Sequence, residues 1–324
     1  MKIYIPDDYQ NVIKSLDCYR ILEHHEVKVF NDTVTDENEL VNRFRDADCI
    51  VLTRERTKLS RNVLEKLSKL KLISQTGKVA SHLDVEACTE LGIAVAEGKG
   101  SPAATAELTW LLIMASLRKL VPAVNALKEG KWQTNIGDCL QGKTLGIWGY
   151  GKIGRKIASF GNVFGMKIIV WGSEGSRNAA VNDGFISAES REKFFRECDV
   201  VSIHLRLKPE TRGIIKYEDL VKMKPDSLFV NTSRAGLLEP EALKRALAGG
   251  RPGRAAMDVY ENEPIFDKSY WAFNDENVLC TPHLGYVEKS GYEYYFGTAF
   301  SNAVKFFEGQ PENILNPEVL DKSK

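Results

Sequence analysis

Lys143-Thr-Leu-Gly-Ile-Trp-Gly149-Tyr-Gly151-Lys-Ile-Gly154-Arg-Lys-Ile-Ala158 is the stretch on which the fold turns. Leu145, Ile147 and Trp148 form a short apolar run that reads as a buried strand. Ile153, Ile157 and Phe160 then recur at helical spacing. Between them stands Gly149-x-Gly151-x-x-Gly154. A strand, a glycine turn and a helix, in that order, separate a dinucleotide fingerprint from a chance match. The first glycine allows a tight turn, the second lets a pyrophosphate approach the backbone, and the third lets helix and strand pack closely. The helix N-terminus offers N–H groups and a positive dipole to the phosphates. The blander alternative is a glycine-rich turn with no ligand.

After this stretch, strands are expected at 144–148, 167–171, 199–205, 227–232, 255–258 and 278–281. Helices lie between several of them, among them 187–197 and 239–248. Six strands after the fingerprint predict a dinucleotide-binding domain over residues 99–289. Before it, strands at 2–5, 27–30, 48–52, 72–74 and 93–95 alternate with helices at 9–17, 36–45, 60–67 (Ser60 as N-cap) and 84–91. That alternation predicts a second parallel sheet with helices on both faces. Residues 102–120 read as one long apolar helix, buried between domains and shared with a homodimer seam. From there 121–141 lead back to the fingerprint strand. The amphipathic segment 292–309 is expected to return to the first domain, making it discontinuous (1–98 and 290–324), with a polar tail at Asp321–Lys324.

Composition narrows the function. The 324 residues carry 44 basic and 44 acidic side chains, so no net charge points to nucleic acid or an anionic membrane. The N-terminus opens as a strand and lacks a signal-peptide layout. The most apolar run, Leu108 to Leu117, is too short to span a bilayer. Six cysteines, scattered without a CxxC, fit reduced, buried thiols in a cytoplasmic protein. No metal is expected.

Ligands of doubly wound sheets bind at the carboxyl ends of strands. Those ends carry Asn231-Thr-Ser-Arg234-Ala-Gly236, Asp258-Val-Tyr-Glu-Asn-Glu263-Pro264 and Thr281-Pro-His283-Leu-Gly285. Arg234 can hold a carboxylate bidentately and polarise the adjacent carbonyl. His283 can carry the proton that accompanies a hydride. Glu263 can fix its tautomer and favour the imidazolium.

These residues, with His204-Leu-Arg-Leu, Thr211-Arg-Gly213 and Met223-Lys-Pro225, resemble the D-isomer-specific 2-hydroxyacid dehydrogenases. The match covers nearly all of the second domain; the first matches more loosely, through Gly77 and Leu83-Asp84. The resemblance implies two α/β domains with doubly wound parallel sheets, a Rossmann-type cofactor domain and a flavodoxin-like substrate domain, with the active site between them. It implies hydride transfer between a nicotinamide cofactor and a small 2-keto acid/D-2-hydroxy acid pair. Arg234, Glu263 and His283 would be catalytic. Gly149, Tyr150, Gly151, Lys152, Ile153, Gly154, His204, Thr232, Ser233, Asp258 and Gly285 would bind the cofactor. Gly77, Lys78 and Val79 would join Arg234 at the substrate.

The sequence departs from the family at two places. Gly172 stands where an acid often reads the adenosine ribose, leaving Ser173 and Glu174 for that task. Ser173 and Arg177 could instead meet a 2′-phosphate. NAD is favoured, with NADP open. Lys78 replaces a glycine in the substrate loop, which leaves glyoxylate, hydroxypyruvate and phosphoglycerate specificities open. No regulatory domain is expected after residue 324. Glu263, where formate oxidisers carry Gln, argues against that branch. The rival of another class is an NAD(H)-sensing, corepressor-like binding protein. No nucleic acid or membrane partner is expected.

Overall fold

A computed structural model describes residues 1–321; the remaining residues of the expected polar tail, 322–324, lie outside the described residues. The chain divides into two compact units, Met1–Ser101 with the chain from Glu288 onward, and Pro102–Val287.

The first unit opens with β1 (Lys2–Ile5), β2 (Glu26–Val29), α1 (Glu37–Phe44), β3 (Cys49–Leu52), α2 (Arg61–Leu64), β4 (Leu72–Gln75), α3 (Val85–Glu90) and β5 (Ala94–Glu97). The second contains α4 (Ala103–Leu117), α5 (Leu120–Lys128), β6 (Thr144–Trp148), α6 (Lys152–Val163), β7 (Lys167–Trp171), α7 (Glu174–Asn182), β8 (Ile186–Ser187), α8 (Arg191–Glu197), β9 (Val200–Ile203), α9 (Tyr217–Leu220), β10 (Leu228–Asn231), α10 (Ala242–Ala248), β11 (Arg254–Met257) and β12 (Val278–Cys280). The chain then re-enters the first unit with α11 (Lys289–Phe307) and α12 (Glu318–Asp321).

Both sheets are parallel throughout. Five strands run β2-β1-β3-β4-β5, the flavodoxin-like order, and seven run β12-β11-β10-β9-β6-β7-β8, a Rossmann order with one strand added. Two doubly wound α/β units are what the alternation of strands and helices predicts. The seven-stranded sheet separates two cores because its side chains alternate: Leu145 and Ile147 of β6 face one, while Trp148 faces the other with Phe194 and Phe195. Gly146 is required there, since a Cβ would sit 2.5 Å from Cys198 Sγ. Local caps set helix starts. Asp36 accepts from the N–H groups of Asn38 and Glu39, and Asp84 from that of Ala87.

Several expected elements are corrected. Residues 9–17 are not an α-helix. Asn11 lies in the left-handed region (φ +54), the Asp8 carboxylate takes the N–H groups of Val12 and Ile13, and the chain turns through 3₁₀ segments Ile13–Ser15 and Asp17–Leu22. Ser60 precedes α2, but its hydroxyl donates to Glu37 rather than capping, and the helix stops at Leu64. The long helix ends at Leu117 because Lys119 is left-handed (φ +50), and α5 leaves at a 63° bend. Within the second unit, α4 packs Ala106, Leu112 and Ile113 against α6 and β10, while Leu111 on the same helix is 56% exposed. The start of the expected 187–197 helix is instead β8, which adds a seventh strand; Ser190 caps what remains. Of the six thiols, all unpaired, Cys49, Cys88 and Cys198 are buried and Cys139 is exposed.

Among the described residues no single helix is long and apolar enough to cross a membrane; α4 and α5 pass that test only as a bent pair. No cluster of three metal-ligating side chains occurs among them.

Candidate active site

The glycine loop joins β6 to α6. Gly149 has φ +103, and a Cβ there would stand 2.5 Å from the His204 carbonyl oxygen. At Gly154 a Cβ would stand 2.2 Å from the Gly149 carbonyl oxygen, so only hydrogen lets α6 close on the strand. At Gly151, the N-cap of α6, a Cβ would meet nothing within 4 Å. The loop is tight where it packs against protein and open at its middle glycine, beside Lys152 and Ile153. That is the shape a pyrophosphate needs. Tyr150 turns inward: it is 5% exposed and donates to Asp183 Oδ2 at 2.8 Å, with Arg155 over its ring and paired to the same carboxylate. Only its backbone serves the loop.

His204 follows β9 beside the same turn. Its Nε2 meets Ser202 Oγ at 2.9 Å, while its buried Nδ1 has no hydrogen-bond partner. Burial pushes its pKa down to about 3, so the ring is neutral. An orphaned, neutral imidazole nitrogen next to the glycine loop fits a bound dinucleotide.

At the end of β10, Asn231 organises the turn. Its Oδ1 accepts from the Ser233 N–H and its Nδ2 donates to the Arg234 carbonyl. Ser233 Oγ donates to the Ile203 carbonyl at 2.7 Å, tying this turn to β9. Thr232 is buried, with its hydroxyl 2.7 Å from that of Thr109 on α4. Arg234 leaves the turn half-buried in extended backbone, one guanidinium N–H on the Ser233 carbonyl.

The ends of β11 and β12 converge on His283, which is itself left-handed (φ +52). The Asp258 carboxylate is fully buried and accepts from Thr281 Oγ1 (2.7 Å), Leu284 N (2.7 Å) and Gly285 N (2.9 Å). Burial raises its pKa despite those donors. On the far side, Thr105 Oγ1 of α4 donates to the Gly285 carbonyl at 2.7 Å. The His283 turn is thus clamped from both flanks. His283 Nδ1 lies 2.6 Å from Glu263 Oε2; the side chains are 19% and 18% exposed. Glu263 Oε1 accepts from the Tyr260 N–H at 2.9 Å, which fixes the carboxylate.

Beyond β7, Gly172 has φ +151, Ser173 caps α7 through the Ser176 N–H, and Glu174 is exposed on its first turn. In the first unit, Gly77-Lys78-Val79 leaves β4 with Gly77 at φ +111, where a Cβ would overlap Arg54 Nη1. Lys78 pairs with Glu97, which also accepts from the Val79 N–H at 2.9 Å. Lys78 is therefore held at its own sheet edge.

The structure joins Glu263 to His283 and brings Arg234, His204, Asp258 and the glycine loop to the carboxyl edge of one sheet. Sequence reasoning missed Arg54, Thr105, Thr109 and the inward turn of Tyr150. Two hydroxyls one turn apart in the mostly apolar α4 were the available signal for the threonines.

Residues 110–285 match the model of the D-isomer specific 2-hydroxyacid dehydrogenase NAD binding domain. The chain is 35% identical over 314 residues to a D-3-phosphoglycerate dehydrogenase of Methanocaldococcus jannaschii, covering 95% of this chain and 59% of that one. It is 31% identical to a glyoxylate reductase of Thermococcus litoralis, covering 97% and 96%. A crystal structure of a phosphoglycerate oxidoreductase from Vibrio cholerae O395 superposes with a TM-score of 0.93 at 52% identity, covering 95% of this chain and 99% of that one.

Proposed function

The chain belongs to the D-isomer-specific 2-hydroxyacid dehydrogenase family, and on that premise we propose that it is an NAD-dependent oxidoreductase interconverting a small 2-keto acid and its D-2-hydroxy acid. The observation that carries this reading is the 2.6 Å contact between His283 Nδ1 and Glu263, on a turn at the same sheet edge as the glycine loop. With Nδ1 donating to the carboxylate, proton exchange with substrate falls to Nε2. When bound, the nicotinamide supplies or accepts the hydride. In reduction, His283 gives its Nε2 proton to the oxygen of the carbonyl whose carbon takes the hydride; in oxidation it takes that proton back. Arg234 holds the substrate carboxylate with its planar fork and draws charge from the neighbouring carbonyl. Asp258 holds the His283 turn in register for this exchange. In the first unit, Gly77-Lys78-Val79 is the substrate loop of this reading.

Phosphoglycerate, glyoxylate and hydroxypyruvate in the names of relatives support the corresponding 2-keto acids as candidate substrates. A homodimer is supported by the uncovered apolar face of α5, where Val124 and Leu127 are exposed, and by Trp132 and Ile136 beyond it, 76% and 91% exposed. Six unpaired thiols support a cytoplasmic location. The test is a panel of glyoxylate, hydroxypyruvate, 3-phosphohydroxypyruvate and pyruvate with NADH, followed by absorbance. Turnover of at least one is expected. Normal NADH binding with no turnover of any would overturn the enzyme reading in favour of a nucleotide-sensing protein.

A further inference from the structure

The adenosine end of the glycine-loop site lacks the carboxylate that commonly reads the ribose 2′-hydroxyl. Gly172 occupies the position after β7, and a Cβ built on it would lie 3.4 Å from Ser176 Cβ and 3.8 Å from the Gly149 N. The first phosphate-loop glycine and Ser176 thus flank the place where the ribose-reading side chain would project. Ser173 stands beside it, with its Oγ 3.2 Å from Ser176 Oγ. Two hydroxyls therefore replace the missing carboxylate.

One helical turn further on, Arg177 lays its guanidinium against the Trp171 ring, 5.1 Å from the centroid. Its Nε is buried without a hydrogen-bond partner, and it forms no ion pair among the described residues. Glu174, the acid of the first turn, is exposed and leaves Arg177 unneutralised. A buried guanidinium N–H without an acceptor is costly, and a stacked guanidinium is pre-oriented for a planar, bidentate anion. A phosphate ester supplies the missing acceptors and the missing charge together.

We propose that this subsite admits a ribose 2′-phosphate, so that the chain binds NADPH as well as NADH, with Arg177 as the phosphate's partner and the Ser173 and Ser176 hydroxyls beside it. The proposal rests on the dinucleotide site of the proposed function and extends it to cofactor selection. Trp171 holds the guanidinium in place, and Gly172 makes room by carrying no side chain.

The experiment separates binding from turnover. Calorimetric titration with 2′,5′-ADP and with ADP, and fluorescence titration with NADPH and NADH, are run on the native chain, on Arg177→Gln and on Arg177→Lys. Native NADPH affinity is expected within about tenfold of NADH affinity or tighter. Arg177→Gln should weaken 2′,5′-ADP and NADPH by about tenfold or more, the loss of one charge-assisted pairing, with ADP and NADH within about threefold. Arg177→Lys should fall between, and its retained charge guards against a folding defect in the glutamine variant. Native NADPH affinity more than about tenfold below NADH overturns the proposal, as does an Arg177→Gln effect that is absent or equal for both nucleotide pairs. Reduction of a 2-keto acid by NADH in the native chain reports separately on the proposed function, since that activity does not use the 2′-phosphate subsite.

Discussion

Replacing Glu263 by glutamine isolates the charge behind His283 with little change of shape. In the native site one carboxylate serves two donors, His283 Nδ1 at 2.6 Å and the Tyr260 N–H at 2.9 Å. Glutamine keeps one acceptor oxygen and turns an NH₂ toward one of those donors. A hydrogen bond to a charged group is worth about 1.5–3 kcal/mol against about 0.5–1.5 for a neutral one, and the pair is mostly shielded from solvent. The difference, roughly 1–2 kcal/mol, falls on the step in which His283 holds the proton it will deliver. It should lower kcat/KM for 2-keto acid reduction by roughly 5- to 30-fold at neutral pH. NADH affinity should change by less than about twofold, well under the tenfold that 1.4 kcal/mol represents. Steady-state reduction rates at neutral pH, with a parallel NADH titration, give both quantities. No deficit at all would remove it from the reaction.

Three further outcomes follow from the same site. His283→Ala should lose about 10²- to 10⁴-fold in kcat, the usual share of general acid–base catalysis, with NADH binding retained in an equilibrium titration. Arg234→Lys should raise KM and lower kcat together, since an ammonium cannot reproduce the fork that holds the carboxylate and polarises the carbonyl; steady-state parameters within about twofold of native would refute that role. His204 carries a folded-state pKa near 3 against 6.5 in an open chain, so its contribution is complete above pH 6.5 and is lost as pH falls below it. Unfolding free energies of the native chain from urea titration should therefore drop from pH 7 to pH 5 by up to about 1.4 kcal/mol per pH unit more than those of His204→Gln, and parallel slopes would refute the neutral ring.

Much of the architecture was legible because it rests on local pattern. Buried strands such as Cys49-Ile-Val-Leu52 announce themselves as apolar runs, and the glycine spacing fixes which sheet holds the dinucleotide. β8 escaped because two residues carry no periodicity, and the break before α5 escaped because nothing in Arg118-Lys119 signals a left-handed residue. In the site, strand-end position was enough to name Arg234, Glu263 and His283 as neighbours of one edge. What holds them lay beyond such reasoning. Asp258 reads in sequence as a ligand-facing acid, yet its oxygens are taken by Thr281, Leu284 and Gly285, partners more than twenty residues away. Tyr150 sits in the fingerprint but faces Asp183, again through a pairing that only folding creates.

The return of the chain to its first unit has a consequence during synthesis. α11 lays Tyr295, Phe296, Ala299 and Phe300 into that unit's core and accepts the Ser74 hydroxyl on its Ala299 carbonyl. Its first residues leave the ribosome about 190 positions after Ser101. At roughly 5–20 residues per second, β3, β4 and β5 wait some 10–40 s for the helix that covers them. The second unit, contiguous from Pro102 to Val287, meets all its own partners within that interval. The nascent chain thus completes its nucleotide half first. Until α11 emerges, it carries an uncovered parallel sheet that chaperones, or neighbouring chains on the same message, can reach.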